Sequence, residues 1–497
     1  MRERSRSYAS LGIVAVAVTR FICRSHRLYD LDSVNLALGM ARFDPAAHQP
    51  HPPGYFLYVC LGRLVNRWLP DPNSALVAIG IAASCGAAWL IYLLTRLWFG
   101  QRAAWMSILL FLASPLCWFH GIVALTYIVE AFFSALIGYF CWRVYSGEKA
   151  FALPASIAFA LAAGFRPSAA LLLAPLWLFA IWRVRGIRLW LALVAVAAVT
   201  LAWFLPMTAA AGGFRPYFDA LAQLWRTVPG RRTTLSSPWL LVARILTMAW
   251  IFVICFGTAS IAAVWPRAKA ESTQVRRGGF VWAWVAPGML FFALVFLNFV
   301  NSGYLLLLCP PAFALVGERL STFVSAGDRR PLRWGVVAVG VAANCLFFVY
   351  APLYCSYRSV RDFETTLTAI TQDFESSLDP ETTLIVGFDS HFLGYRHAGY
   401  YLPRFVTVQY PEVTYPGGKR VFAMHDRDTE VVRHLPASRF ERFVFFPLPA
   451  DREYTAYLDT VLSKLPRDSL DTIMVGRRKV LTGPASLLAV LFPETTR

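Results

Sequence analysis

The sequence predicts a polytopic α-helical membrane protein, with about eleven transmembrane helices followed by a small extracytoplasmic α/β domain at the C-terminus. Apolar runs of nearly membrane-spanning length fill the first 353 of the 497 residues. The chain is 57% hydrophobic and 15% charged, whereas soluble domains carry about 25% charged residues. Lys and Arg recur in every second loop between the runs. The predicted solvent for most of the chain is therefore a bilayer.

Each predicted span is close to the length needed to cross the hydrocarbon core. The first, residues 8–23, follows three arginines and lacks a small-residue cleavage site, so we expect an uncleaved anchor. The other ten lie at residues 74–95, 103–119, 122–142, 151–165, 167–182, 189–211, 239–265, 279–298, 303–317 and 334–353.

The basic residues predict the orientation, because cytoplasmic loops are enriched in Lys and Arg. With the N-terminus inside, every predicted inner loop is basic, and eleven spans place the C-terminus outside. Residues 1–353 carry 30 Lys and Arg against 11 Asp and Glu, while residues 354–497 carry 17 against 18. This distribution fits membrane lipid as a partner and argues against nucleic acid. Arg far outnumbers Lys, which suggests a GC-rich bacterial genome. We therefore expect this multi-pass protein to lie in a bacterial inner membrane.

Two domains are predicted. Residues 1–353 form the transmembrane domain, with long outer loops at 24–73 and 212–238, where binding and catalysis usually concentrate. Residues 354–497 form the α/β domain, in which polar helix-like segments alternate with β-rich runs at 382–388, 404–410, 419–425 and 442–448.

Asp389 and His391 follow the end of the first predicted strand, where α/β sheets tend to place ligands. The interpretation that we prefer for these two residues is an ordinary capped loop.

The first outer loop contains an acidic pair, Asp30 and Asp32, a few residues after the first span. The stretch 32–41 predicts a short amphipathic helix capped by Asp32 or Ser33. A carboxylate fixed at the membrane interface can take a proton from an acceptor hydroxyl. A second acid can orient the acceptor, hold a metal or raise the pKa of its neighbour. From the spacing alone we favour the alternative that both are solvated loop residues and that Asp32 is merely a helix cap, because two acids one residue apart are a weak motif.

Two histidines of the same loop, His48 and His51, precede a rigid Pro-Pro-Gly turn. They could bind substrate or, together with an aspartate, a divalent metal. Histidines three residues apart in a proline-rich loop more often shape a turn. We therefore assign no metal ligand and no certain cofactor, and a divalent metal stays an alternative.

Residues 29–33 (YDLDS) followed by 51–55 (HPPGY) resemble the first loop of the membrane glycosyltransferases of the C superfamily. The resemblance is closer to the family-39-like branch, which includes protein O-mannosyltransferases and the lipid A aminoarabinose transferase. Residues 164–168 (GFRPS) and 301–304 (NSGY) resemble later segments of that family, so the likeness covers about residues 8–353. It implies a polyprenyl-phosphate sugar donor, an acidic general base in the first outer loop and inversion at the anomeric carbon.

Carried over by position, Asp30 is the preferred general base and Asp32 the second. The nearest match to a second acidic motif is Glu130, near the outer end of the fourth span. It is either a site residue or the partner of an Arg or Tyr. Arg166, at an outer helix junction, is the preferred ligand of the donor phosphate. The predicted substrate-binding residues are His48, His51, Tyr55, Glu130, Arg166, Arg215 and Tyr304.

The second outer loop offers further cations, for which contact with lipid headgroups is the alternative: Arg215, Arg226, Arg231 and Arg232.

The resemblance thus implies transfer of a sugar to a hydroxyl of a glycan, lipid or protein at the outer face. A secondary transporter is the first alternative, and a catalytically silent relative acting as a scaffold is the second. Transporters tend to carry midplane charges and broken helices. Here Glu130 is the one acid well inside a predicted span, and the acidic pair lies in an outer loop. An enzyme is therefore favoured.

Overall fold

The computed structural model describes residues 2–227, 237–259, 272–297, 302–326, 329–352, 355–415, 418–435, 437–447, 459, 463–466 and 469–493. The chain divides into two compact units. The first comprises Met1–Ser25, Tyr55–Pro206 and Val228–Ser359. The second comprises His26–Gly54, Met207–Thr227 and Val360–Arg497, so it includes most of the first outer loop as well as the C-terminal region. The boundary at 353/354 remains a prediction.

The described helices include those that the apolar runs predict and several that lie outside the predicted spans. In chain order they are α1 Arg2–Cys23, α2 Leu31–Ala41, α3 Phe56–Asn66, α4 Pro72–Phe99, α5 Gln101–Leu112, α6 Pro115–Ile122, α7 Tyr127–Tyr145, α8 Ala152–Phe165, α9 Pro167–Ile181, α10 Ile187–Ala210, α11 Phe214–Thr227, α12 Pro238–Phe256, α13 Ser272–Leu294, α14 Cys309–Ser325, α15 Arg330–Tyr350, α16 Tyr357–Ser377, α17 Tyr395–Tyr401 and α18 Leu488–Leu491. Short 3₁₀ helices lie at Pro45–Ala47, Lys149–Phe151, Gly257–Ala259, Ser302–Leu308, Ala437–Arg439 and Ala485–Leu487.

The described residues contain seven helices that are long and apolar enough to cross a membrane, or eight if α5 and α6, which meet at a bend of 57°, are one span rather than a re-entrant loop. The predicted spans 8–23, 151–165 and 167–182 coincide with shorter apolar helices of 10–17 residues. Parts of the predicted spans 239–265, 279–298 and 334–353 lie outside the described residues. A multi-pass membrane protein is therefore confirmed, whereas the count of eleven and the orientation remain predictions.

The bend between α5 and α6 illustrates how the backbone N–H and carbonyl groups at a helix break find hydrogen-bond partners. Ser114 caps α6 through a hydrogen bond that its Oγ accepts from the Cys117 N–H (3.3 Å). The fully buried Arg20 of α1 donates to the carbonyl oxygens of Phe111 (3.1 Å) and Leu112 (2.9 Å). The last carbonyls of a helix lack intrahelical partners, and hydrocarbon offers none. Arg20 therefore lets the helix break inside an apolar environment.

The second unit contains an eight-stranded mixed sheet in the order β3-β4-β2-β1-β6-β8-β7, with β5 also paired to β4. The strands are β1 Thr383–Phe388, β2 Thr407–Tyr410, β3 Val413–Tyr415, β4 Gly418–His425, β5 Asp428–Val432, β6 Arg442–Phe445, β7 Asp471–Val475 and β8 Arg478–Pro484. β1 runs parallel to β2 and β6, and the other pairs are antiparallel. Every residue of β1 is buried, as expected for the centre of a sheet covered on both faces.

The four predicted β-rich runs coincide with β1, β2, β4 and β6, so the C-terminal sheet domain is confirmed. The other four strands were not predicted, because β3, β5 and β7 are short or carry exposed polar residues.

Candidate active site

The acidic pair of the first outer loop lies at the N-terminus of α2, inside the second unit. The predicted cap, Asp32 or Ser33, is wrong, since Asp30 is the N-cap and the helix begins at Leu31. The Asp30 carboxylate accepts a hydrogen bond from the Asp32 N–H (2.9 Å), and the Asp30 N–H donates to Ser33 Oγ (3.4 Å). Asp30 takes this position because its extended backbone aims the carboxylate at the unpaired donors of the first turn.

The second oxygen of the Asp30 carboxylate faces His391, which follows β1. His391 Nδ1 lies 3.8 Å from Asp30 Oδ2, and the Asp30 side chain is 1% exposed. The Leu31 N–H donates to the His391 carbonyl oxygen (2.9 Å). The segment after β1, which the sequence predicts to be an ordinary capped loop, therefore contacts the first of the two aspartates.

Asp32, in contrast, remains partly accessible. Its Oδ1 lies 3.2 Å from His51 Nδ1, and the Asp32 and His51 side chains are 26% and 19% exposed. The pair is thus split between a buried carboxylate that caps the helix and an accessible one that a histidine orients.

His48 sits at the end of the 3₁₀ helix Pro45–Ala47 in a left-handed conformation, and its N–H donates to the Pro45 carbonyl oxygen (3.2 Å). Its ring centroid lies 4.9 Å from that of Phe422. Burial, and then the positive charge of Arg396, lowers the pKa of His48 to about 3. A neutral, packed imidazole in a tight turn fits the turn-shaping alternative. Its predicted role in substrate binding stays a prediction.

The rest of this loop is tied to the C-terminal part of the second unit. The buried Arg396 donates to the Ala47 carbonyl oxygen (2.7 Å) and to Thr429 Oγ1 (2.6 Å). Arg42 pairs with Asp428 at 3.1 Å. The Leu28 N–H donates to the Tyr401 hydroxyl (2.8 Å). The loop that carries the acidic pair is therefore held by residues more than three hundred positions later in the chain.

The histidines and acids of the loop lie in pairs. Among the described residues, no three His, Cys, Asp or Glu side chains converge in a way that could hold a metal ion. They form two separate pairs instead, Asp30 with His391 and Asp32 with His51.

Glu130 and Arg166 form a buried ion pair in the first unit. Glu130 lies in the first turn of α7, and Arg166 links the end of α8 to the start of α9, where Pro167 begins the next helix. Arg166 Nε lies 3.1 Å from Glu130 Oε2, and Ser168 Oγ donates to Glu130 Oε1 (3.2 Å). Arg166 Nη1 donates to Thr126 Oγ1 (2.6 Å). Glu130 is thus the partner of an arginine, as one of the two sequence interpretations held.

Three tyrosine rings surround the Arg166 guanidinium. The centroids of Tyr127, Tyr304 and Tyr55 lie 4.1, 5.3 and 5.7 Å from its central carbon. A Cβ at Gly303 would lie 2.3 Å from the Tyr127 ring, so glycine is required there. The structure thus brings together four predicted residues (Tyr55, Glu130, Arg166 and Tyr304). Tyr127 was not predicted, and its only sequence signal is its position three residues before Glu130.

Arg215 lies on α11, where its side chain is 94% exposed and 3.9 Å from Asp219. This position fits the alternative of lipid headgroup contact. Arg231 and Arg232 lie outside the described residues.

No family model matches the chain, and no curated protein matches its sequence. Its structure is similar to that of ArnT, a lipid A aminoarabinose transferase, from Cupriavidus metallidurans. The superposition on the apo form has a TM-score of 0.54 at 14% sequence identity, and it covers 97% of this chain and 99% of the ArnT chain. The form bound to undecaprenyl phosphate gives a TM-score of 0.56 at 14% identity, with 96% and 98% covered. The chain therefore shares the fold of ArnT, which is the fold that the sequence resemblance implied.

Proposed function

We propose that this protein is a membrane glycosyltransferase that moves a sugar from a polyprenyl-phosphate donor to an acceptor hydroxyl at the outer face of a bacterial inner membrane. The observation that carries the proposal is the partly exposed Asp32 carboxylate, held at the first turn of α2 beside His51. The fold shared with ArnT, which has been solved with undecaprenyl phosphate, supports the donor class.

In the proposed reaction, Asp32 accepts the proton of the acceptor hydroxyl while the acceptor oxygen bonds to the anomeric carbon. The bond from that carbon to the carrier phosphate breaks, and its electron pair leaves with the polyprenyl phosphate. A single displacement of this kind inverts the anomeric configuration. The resemblance ranks Asp30 first as the base, but its carboxylate is buried and occupied by the Asp32 N–H and His391. Accessibility therefore favours Asp32.

The leaving phosphate needs a fixed cation, and Arg166 is the residue that we propose for it. Its guanidinium is oriented by Glu130 and Thr126 and enclosed by tyrosine rings. Such a cation requires little reorganisation when charge develops on a ligand.

The same contacts weaken the transporter alternative. That alternative rests on Glu130 as an acid inside a span, available to a coupling ion or proton. Glu130 is instead paired with Arg166 and hydrogen-bonded by Ser168. The pair is neutral as a whole and satisfies the requirement that buried charges be compensated.

The test is transfer of labelled sugar from a panel of polyprenyl-phosphate donors by the purified protein in lipid. We expect Asp32→Asn to lower the transfer rate by about 10²- to 10⁴-fold, the usual contribution of a general base. Asp30→Asn should cost less, because Asn still caps the helix and only the charge is lost. The matched control is Asp44→Asn, since Asp44 caps the 3₁₀ helix of the same loop and Asn preserves that cap.

Two outcomes would contradict the proposal. Retained transfer by the Asp30→Asn, Asp32→Asn double variant would exclude an aspartate base in this loop. No donor turnover or binding by the unaltered protein across a broad sugar panel would favour the transporter or the silent scaffold.

A further inference from the structure

The loop that follows β1 packs against the start of α2 through two contacts made by one residue. His391 accepts a hydrogen bond from the Leu31 N–H (2.9 Å) through its carbonyl oxygen. Its imidazole Nδ1 lies 3.8 Å from Asp30 Oδ2. The backbone of this residue thus holds the first residue of the helix, and its side chain faces the carboxylate that caps the helix.

The loop itself is closely built. A Cβ at Gly387 would lie 2.4 Å from Tyr395 Cα, and one at Gly394 would lie 2.6 Å from the Ser390 carbonyl oxygen. Ser390 Oγ donates to the Phe392 carbonyl oxygen (2.9 Å). Leu393 has a φ of +52°, a conformation that costs free energy and persists only where the surroundings enforce it. The backbone of the loop that carries His391 therefore has little conformational freedom.

Aromatic packing holds the other side of the loop. The ring centroid of Tyr29, the residue before Asp30, lies 5.0 Å from that of Phe363 and 5.1 Å from that of Phe392. The residue before Asp30 and the residue after His391 are thereby fixed in one aromatic cluster of the second unit.

The charges around His391 are complementary. The titratable groups that act on it are Asp30 and Asp32 at the start of α2 and Asp389 in its own loop, and His397 of α17 also lies within electrostatic range. Asp30 is the largest influence and raises the pKa of His391 to about 9, so the imidazole is protonated at neutral pH. Burial raises the pKa of Asp389. A cation thus faces the buried Asp30 carboxylate.

We infer that His391 is a positioning residue of the transfer reaction: it holds the Asp30 carboxylate and the first turn of α2, so that Asp32 is presented to the acceptor. The C-terminal domain then completes the active site rather than serving only as an accessory. This inference rests on the proposed function, because it assigns His391 a role in the reaction proposed for Asp32.

The first test compares His391→Gln and His391→Ala with the unaltered protein in the sugar-transfer assay. We expect kcat to fall on the order of 10- to 100-fold, the cost of misplacing a reacting group, with the donor KM within about twofold. In the unaltered protein, activity should fall as the pH rises through about 9, where the imidazolium loses its proton. In both variants this fall should be absent, because no imidazole remains.

The matched control is His425→Ala. His425 also lies beside an aspartate, 3.2 Å from Asp426 Oδ2, but at the exposed end of β4 in the same sheet domain. It should change neither kcat nor the pH profile. An unchanged kcat and pH profile in both His391 variants would overturn the inference.

A double-variant cycle separates positioning from loss of folding. If His391 acts through Asp30, then Asp30→Asn with His391→Gln should lower kcat no further than Asp30→Asn alone. If the double variant instead lowers kcat by the product of the two single-variant factors, the inference is overturned. His391→Gln should also remain folded, since Gln preserves the backbone contact with Leu31.

A readout without turnover distinguishes this inference from the proposed function. The folded pKa of His391, about 9, exceeds its unfolded value of about 6.5, so its contribution to stability is complete below pH 6.5 and is lost as the pH rises through 9. His391→Gln should therefore lower the unfolding temperature at pH 6 more than at pH 10. If the unaltered protein transfers no sugar but shows this difference, the proposed function fails and the His391–Asp30 pair stands. If His391→Gln lowers the unfolding temperature equally at pH 6 and pH 10, the His391–Asp30 pair is absent.

Discussion

At the residue scale, two aspartates separated by one leucine have different environments. Asp30 points its carboxylate into the helix start and toward His391. Asp32 lies two residues later in the first turn, beside His51, with a quarter of its side chain accessible. The difference follows from the N-cap geometry, which turns the cap side chain back onto the first-turn donors. Asp30 therefore caps the helix, and the carboxylate that we propose as the base is the other one, Asp32.

A second residue-scale feature is the Glu130–Arg166 pair. Both side chains are almost fully buried, and they lie 3.1 Å apart. Removing one partner of a buried pair leaves the other charge uncompensated. We expect Glu130→Gln to lower the free energy of unfolding by about 3–5 kcal/mol, measured by thermal unfolding in detergent or nanodiscs.

The control for Glu130→Gln is Glu148→Gln. Glu148 also pairs with an arginine, Arg143, but the pair is exposed. Exposed ion pairs contribute little, so the unfolding temperature should stay within error. An equal loss in both variants would mean that burial does not determine the strength of the Glu130 pair.

At the element scale, α7 and α13 pack closely because α7 presents small residues to a tryptophan. Trp284 Nε1 donates to Ser134 Oγ (2.9 Å), and Ser134 Oγ donates to the Leu307 carbonyl oxygen (2.6 Å). Gly138 lies one turn further on, directly under the Trp284 ring. Small residues four apart allow close approach of helices in membranes, where hydrophobicity does not drive association.

Gly138→Ala should disrupt this packing. A Cβ at residue 138 would lie 1.8 Å from the Trp284 ring, and the indole is fixed by its hydrogen bond. Overpacking of a close interface typically costs about 1–3 kcal/mol. Thermal unfolding should therefore shift downward in the Gly138→Ala variant.

Gly279→Ala is the matched control, because Gly279 is an exposed helical residue of α13 with nothing within 4 Å of a new Cβ. Alanine favours helix over glycine by about 1 kcal/mol, so this variant should be no less stable than the unaltered protein. Stability that is unchanged in Gly138→Ala would contradict the packing of Trp284 on α7.

At the scale of the whole molecule, the chain is organised by discontinuous units. Residues 26–54 and 207–227 fold into the same compact unit as residues 360–497. The contacts that achieve this, such as Arg396 to Ala47, join residues 349 positions apart. Contacts of such separation are slow to form, because the entropy of closing the loop must be lost before they stabilise anything. The first outer loop therefore depends on the C-terminal region for its conformation.

The predicted orientation can be tested at the same scale. With the N-terminus inside, a cysteine replacing the exposed Arg185 lies in the cytoplasm and one replacing the exposed Arg477 lies outside. In intact cells, a membrane-impermeant thiol reagent should label Arg477→Cys and not Arg185→Cys. The unsubstituted chain, with nine cysteines, is the blank, and permeabilised cells should show labelling at both positions. Labelling of Arg185→Cys alone would reverse the topology.

Composition and periodicity by themselves determined the membrane character, the helical runs and four strands of the C-terminal sheet. These features follow from local properties, since an apolar run of sufficient length requires a bilayer wherever it lies in the chain. The first-loop motif likewise predicted the fold shared with ArnT. Glu130 was identified as the nearest match to a second acidic motif of the resembling family, and its place inside an apolar run indicated either a site residue or the partner of an Arg or Tyr.

Only the tertiary structure decided which carboxylate is buried, that Arg166 is the partner of Glu130, and that His391 faces Asp30. No short-range pattern encodes these pairings, because Asp30 and His391 are 361 positions apart and each would fit a capped loop taken alone. Burial and ion pairing depend on distances between elements, and these distances arise only when the packed unit excludes water from some side chains and leaves others accessible.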